Sequence, residues 1–336
     1  MDSVLDALVL IVSAVLKLWH VFLHQGLGLH ENLAWILSLG GFIITVRSLL
    51  VAPTWAGFAL GRKSALLRPQ LTALRDEYRT RTSAEDQKEL ASKTAAVMRE
   101  GDVNPLGGCL PVLIQMPLIL GLYRVIIRIA RPTTDGAVGF LTPSDVSSFL
   151  QTRLWGQPFA AYASMPADQL AALGTTQPEV AAFIRPIVIA ATVFMTVNML
   201  VSTMRSVQTM DWSQRAAVNS LIIMVVMAVY TPIMILTIAF TGPIPIAIIF
   251  YWFINNFWTL GQVVILWLLL ERRYPLTDSF KQHRAESWRT FSAPYAAMLH
   301  GRFGEGRELM ASRRSSRRED KQLKREKKRA RKAQIE

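Results

Sequence analysis

Five runs of the chain, approximately residues 33–54, 107–129, 184–204, 217–240 and 245–270, are long, dominated by apolar side chains, and free of Asp and Glu. A helix rises ~1.5 Å per residue, so each run is long enough to cross ~30 Å of hydrocarbon. Inside lipid a spanning segment must satisfy its own backbone polar groups, which a helix does and an isolated strand does not. The expected class is therefore an all-α polytopic membrane protein with five transmembrane helices. The charges lie mostly between these runs: 18% of the residues are charged against 51% hydrophobic, and the net charge is +13.

The basic residues are shared unevenly. Residues 57–106 hold nine Lys and Arg, 205–217 hold Arg205 and Arg215, and 271–336 hold nineteen. The alternate segments are poor: Lys17 alone before residue 33, Arg131 and Arg153 in the external loop 131–183, and none in 241–244. The positive-inside rule then places the N-terminus outside and the C-terminus inside. The single cysteine, Cys109, excludes an internal disulfide and any multi-thiolate metal site.

The first 32 residues are expected to form an external amphipathic helix. Asp6, Ser13, Lys17, His20 and His24 share one helical face opposite a broad apolar one, which suits a helix in the outer interface with its polar stripe toward the headgroups. A sixth span is the alternative. A cleaved signal peptide fits less well, because the start carries Asp2 and Asp6 and no basic cluster. His20 and His24 have no evident third metal ligand. Residues 55–106 read as a cytoplasmic helical hairpin with nine basic and seven acidic residues interspersed. Ser83 followed by Asp86 starts its second helix, the turn "GDVNP" closes it, and Pro69 kinks or opens part of its first. The remaining four spans, 107–270, form the core. The tail 271–336 is expected to be largely disordered, its segment 313–332 being densely basic and nearly without apolar residues.

Soluble-enzyme signatures are missing: no Walker loop, no dinucleotide fingerprint, no H-E-x-x-H and no nucleophile elbow. Nothing calls for a cofactor, a metal or a small-molecule substrate. The informative residue is Arg47, within "GGFIITVRSLLVAPTW". An intramembrane arginine costs roughly 3 kcal/mol on insertion scales and marks function by default. With no carboxylate in any of the five runs, it must be hydrated or paired with a transient guest. Thr45 and Ser48 flank it, Gln115 lies in the second run, and Thr196 and Asn198 in the third. Asn255, Asn256 and Gln262 lie in the fifth, with Tyr251 and Trp252 one turn earlier. Each alone reads as an interhelical hydrogen bond; together they suggest a water-containing interior.

Two stretches resemble the YidC-type membrane protein insertases (the YidC/Oxa/Alb family). "NPLGGCLPVLIQMPLILGLYRVI", 104–126, resembles the second-span signature, and "TGPIPIAIIFYWFINNFWTLGQ", 241–262, the last-span pattern. Tyr251, Trp252, Asn256 and Gln262 stand at the family's positions, with Phe250 where Leu is usual; Pro232 matches a fourth-span proline and Arg47 the single arginine of the groove. In the third span, where relatives tend to place Gln, this chain has Val197 beside Asn198. The resemblance covers roughly residues 5–275. The sequence departs from the family in two ways: the large periplasmic domain of Gram-negative members is missing, so the chain looks like the short form found in Gram-positive bacteria, and the lipoprotein signal of many such members is missing too.

The resemblance further implies a bacterial plasma-membrane insertase and chaperone, not an enzyme, that takes nascent membrane proteins into the bilayer with or without the Sec translocon. An amphiphilic groove, open to cytoplasm and lipid and closed outside, would receive the client near Arg47. The tail cations Arg313, Arg314, Arg317, Arg318, Lys321, Lys324, Arg325, Lys327, Lys328, Arg329, Arg331 and Lys332 would contact ribosomal RNA phosphates, with anionic headgroups as the competing surface. A small-solute transporter and a membrane-anchored RNA-binding scaffold are the rival readings. The first should bring inverted repeats, which are not apparent; the second leaves Arg47 without purpose.

Overall fold

A computed structural model describes residues 2–103, 110–130 and 136–333. Cys109, Arg131 and the start of the "NPLGG" stretch lie outside the described residues. The described residues are helical almost throughout, and each of the five apolar runs has its body in a helix: α2 (Glu31–Leu66), α5 (Leu110–Ala130), α8 (Gln177–Gln208), α9 (Arg215–Thr241) and α10 (Ile246–Arg273). Most exceed the apolar run itself, because polar flanking residues continue the helix until a turn residue stops it. α1 (Asp2–Val21) runs into a π-helical turn, Phe22–Gly26. By length and apolar composition it adds a sixth candidate span, Leu5–Gly26, to the five.

The chain divides into two compact units. The first comprises Met1–Trp55, Cys109–Thr203 and Met224–Leu266. Its core draws on α1, α2, α5, α8, the start of α10 and the segment between α5 and α8, with Trp35, Phe42, Phe149, Phe159 and Tyr162 fully buried. That segment is more ordered than a polar loop. It contains α6 (Pro143–Gln151), strands β1 (Arg153–Leu154) and β2 (Gln157–Pro158) paired antiparallel, and α7 (Ala167–Ala172). Phe159 and Ala161 offer their carbonyls to the amides of Ala247 and Ile246 at the start of α10. The surface of α9 is oily: Val225, Val226, Val229 and Ile233 are exposed, a patch suited to lipid and not to water.

The polar stripe of α1 faces protein, not headgroups, which corrects the expectation. Lys17 pairs with Asp145 at 2.9 Å and Asp6 with Arg128 at 2.8 Å. The Ser13 hydroxyl accepts from the Phe140 amide, and His20 stacks on Trp35 with ring centroids 3.8 Å apart. Leu10, Ile11, Leu18 and Phe22 are the exposed side. The physical reason is that protein partners lie within reach: α5 holds Asp6, Trp35 of α2 stacks on His20, and the α5–α8 segment holds Ser13 and Lys17. Gly139, at φ 60°, lets that segment come so close that a Cβ there would overlap the Ser13 hydroxyl.

The second unit comprises Ala56–Gly108, Met204–Ile223 and Trp267–Glu336. Its hairpin is α3 (Arg68–Glu77) and α4 (Ala84–Glu100). Pro69 lies in the first turn of α3, where its missing N–H costs nothing, so it starts that helix. Ser83 caps α4 by accepting from the Asp86 amide. The tail, expected to be largely disordered, forms α11 (Asp278–Leu299) and α12 (Phe303–Ala333). α12 is tied to α11 through Arg313, which donates to the Phe291 carbonyl, and to the hairpin through Arg79–Asp320 and Lys327 on the Tyr78 carbonyl.

Candidate functional site: a neutral cradle for a buried arginine

Arg47 sits inside the first unit, 8% exposed. Its Nε and one Nη donate to Asn255 Oδ1 at 3.0 and 2.6 Å, and the same Nη donates to Thr259 Oγ1 at 2.7 Å. Asn255 and Thr259 are four residues apart on α10 and so share one face. The Thr259 hydroxyl itself donates to the backbone carbonyl of Asn255, which leaves its lone pairs toward the guanidinium. Hydrogen bonds to a charged group are worth about 1.5–3 kcal/mol each, so three of them can offset an insertion cost of roughly 3 kcal/mol. The charge itself is untouched. Among the described residues no carboxylate pairs with Arg47, and the cradle keeps its full positive charge.

The neighbouring polar residues divide into those that join this region and those that serve packing. Tyr251 is buried beside Arg47 and shares a hydrogen bond with Gln115 of α5. Asn198 of α8 donates to the Asn256 carbonyl at 3.0 Å, and Asn256 spends its amide on the Trp252 carbonyl within its own helix. Trp252 packs partly buried against the core. Thr196 bonds back to the Thr192 carbonyl. Thr45 turns away from Arg47, accepting from Trp19 Nε1 of α1 at 2.9 Å; Ser48 is exposed. Asn198 Oδ1 and both amide atoms of Gln262 are buried without a hydrogen-bond partner.

Sequence reasoning thus located the cation and missed its holders. Asn255 was noted only as a polar span residue and Thr259 not at all, while Asn256 points elsewhere. The four-residue spacing of Asn255 and Thr259 was the available signal.

In the second unit, Arg314, Arg318, Lys321, Arg325 and Arg329 are exposed on α12 at intervals of four, three, four and four, so they form one stripe. Arg313 and Lys327 are engaged with Phe291 and Tyr78. The side chains of Arg317, Lys324, Lys328, Arg331 and Lys332 lie outside the described residues.

Comparison with known proteins adds the following. The sequence pattern of the family described as 60Kd inner membrane protein matches residues 27–271. The chain is 42% identical to the membrane protein insertase YidC of Corynebacterium efficiens, over 85% of this chain and 74% of that one. It is 44% identical to that of Corynebacterium glutamicum, over 84% and 68%, and 30% identical to that of Mycobacterium leprae, over 86% and 76%.

Proposed function

We infer that this chain, which belongs to the 60Kd inner membrane protein family of YidC-type insertases, is a multi-pass plasma-membrane insertase whose client docks at Arg47. Its clients are membrane proteins, and the bilayer is where it delivers them. The observation that carries the docking site is the neutral cradle: Arg47 is held by an amide and a hydroxyl and keeps an uncancelled charge. At rest those acceptors keep the guanidinium satisfied and covered. A client's carboxylate makes stronger, charge-assisted hydrogen bonds than a neutral carbonyl, so it displaces Asn255 and Thr259 as the spans part to admit it. The client's apolar segment then leaves along the exposed side of the bundle, and its burial in lipid at ~25 cal/mol per Å² drives the step.

Five spans with an outside N-terminus and an inside C-terminus remain the preferred arrangement. The anchoring of α1 supports it: Asp6 bonds to Arg128 in the last turn of α5 and Lys17 to Asp145 of α6, in the loop read as external. The buried Phe159–Tyr162 stretch against α10 supports closure of the outer end. The basic stripe of α12 would contact ribosomal RNA, and Sec cooperation would widen the client range.

Arg47→Ala tests the reading. In reconstituted vesicles, protease protection of clients with acidic translocated ends should fall at least several-fold, while clients with neutral ends are spared. Equal insertion of both client types by the alanine variant overturns the docking role.

A further inference from the structure

A second arginine cluster lies in the other unit, where the ends of α2, α8 and α10 meet. Arg62 is 2% exposed, among the largest fully buried side chains. One Nη donates to Glu271, but its Nε and other Nη are buried without a partner. Arg205 lies with its guanidinium carbon 3.5 Å from the centre of the Phe58 ring, and one of its Nη atoms is likewise buried and unpaired. Both line a cavity of about 150 Å³ with Gly57, Gly61, Ser206 and Thr209.

A buried, unsatisfied guanidinium N–H is expensive, on the order of several kcal/mol for a charged group. Here three such atoms belong to the two arginines that line one cavity, and Glu271 cancels the charge of one of them. That arrangement suits an oxyanion. Water at ~30 Å³ per molecule gives the scale: the cavity holds a tetrahedral oxyanion and little more. Phe58 and Leu270 form an apolar side to the same space. Arg62 follows the apolar run 33–54 in the sequence, and in the proposed orientation that end lies at the cytoplasmic leaflet, where basic pockets between spans hold lipid head groups.

We propose that this cavity binds the phosphate of an anionic phospholipid, with Arg62 and Arg205 as the charged donors and Ser206 closing the site. The proposal borrows only the orientation from the insertase reading, and its test does not involve insertion.

The full chain is purified from membranes containing equal phosphatidylglycerol and phosphatidylcholine, and retained lipid is counted by native mass spectrometry. Wild type should keep phosphatidylglycerol preferentially. Arg205→Gln should reduce that about tenfold, the scale of one charge-assisted hydrogen bond, and Ser206→Ala should reduce it by less. Arg289→Gln, on the exposed face of α11, should change nothing. Because Arg62→Gln strands Glu271 and can unfold the unit, Arg205 carries the test. Equal retention of both lipids by wild type, or equal phosphatidylglycerol retention by wild type and R205Q, overturns the proposal. Should inorganic phosphate raise the melting temperature of wild type but not of R205Q while no lipid is retained, the ligand is free phosphate and the lipid assignment falls.

Discussion

Asn255 decides whether Arg47 remains available. Replacing it with aspartate supplies a fixed counter-ion at 2.6–3.0 Å from the guanidinium, within the distance at which a carboxylate and an arginine form a strong pair. Asn255→Asp should therefore depress insertion of acidic-ended clients nearly as far as Arg47→Ala, although it keeps every hydrogen bond. Asn255→Ala should retain most insertion, since Thr259 still holds one Nη. A protease-protection assay on all three variants checks the ranking; robust insertion by the aspartate variant contradicts exchangeable pairing. Arg47 was legible in the sequence because a lone charge in a long apolar run has few structural excuses. Its holder was not, since neighbouring positions on a helix differ by ~100° in direction, and only Thr259, four residues after Asn255, separates Asn255 from Asn256.

At the level of elements, all five apolar helices were legible, for length and apolarity suffice to mark them. The packing of α1 was not, because its partners Asp145 and Phe140 lie more than a hundred residues away. The contact is tied by Asp145, which completes a capping box with Thr142 while pairing with Lys17. Burial alone would raise the Asp145 pKa, but the hydrogen bonds from Lys17 and Thr142 outweigh it and hold the carboxyl below its ordinary value. A depressed folded pKa contributes stability that is full above the unfolded value and lost as pH falls through the folded one. Asp145→Asn should thus cost about 1 kcal/mol at neutral pH, the scale of a lost cap. The gap to wild type should close as pH drops below about 4, which thermal unfolding across that range measures. Gly139→Ala should be worse at every pH, by roughly 1–3 kcal/mol, combining left-handed backbone with a clash at Ser13.

For the molecule as a whole, the tail shows where composition misleads. A segment rich in charge and poor in apolar residues reads as disordered, yet Ala, Leu, Glu, Lys and Arg are strong helix formers. The hairpin and α11 provide contacts that α12 could not find alone. Helix formation sorts the cations, leaving five on one stripe. If that stripe meets ribosomal RNA, co-sedimentation should weaken steeply between 50 and 200 mM salt and disappear when residues 303–336 are deleted. Binding that ignores salt excludes phosphate contact. Insertion of clients added after translation should survive the deletion.

The acceptors around Arg47 have one more consequence. An amide and a hydroxyl do not ionise near neutrality, and arginine keeps its proton, so loading and release of an already ionised client leave the net protonation of the cradle unchanged. Such a cycle has no handle by which a transmembrane pH difference could push it, and it should turn over equally well in vesicles with that difference collapsed.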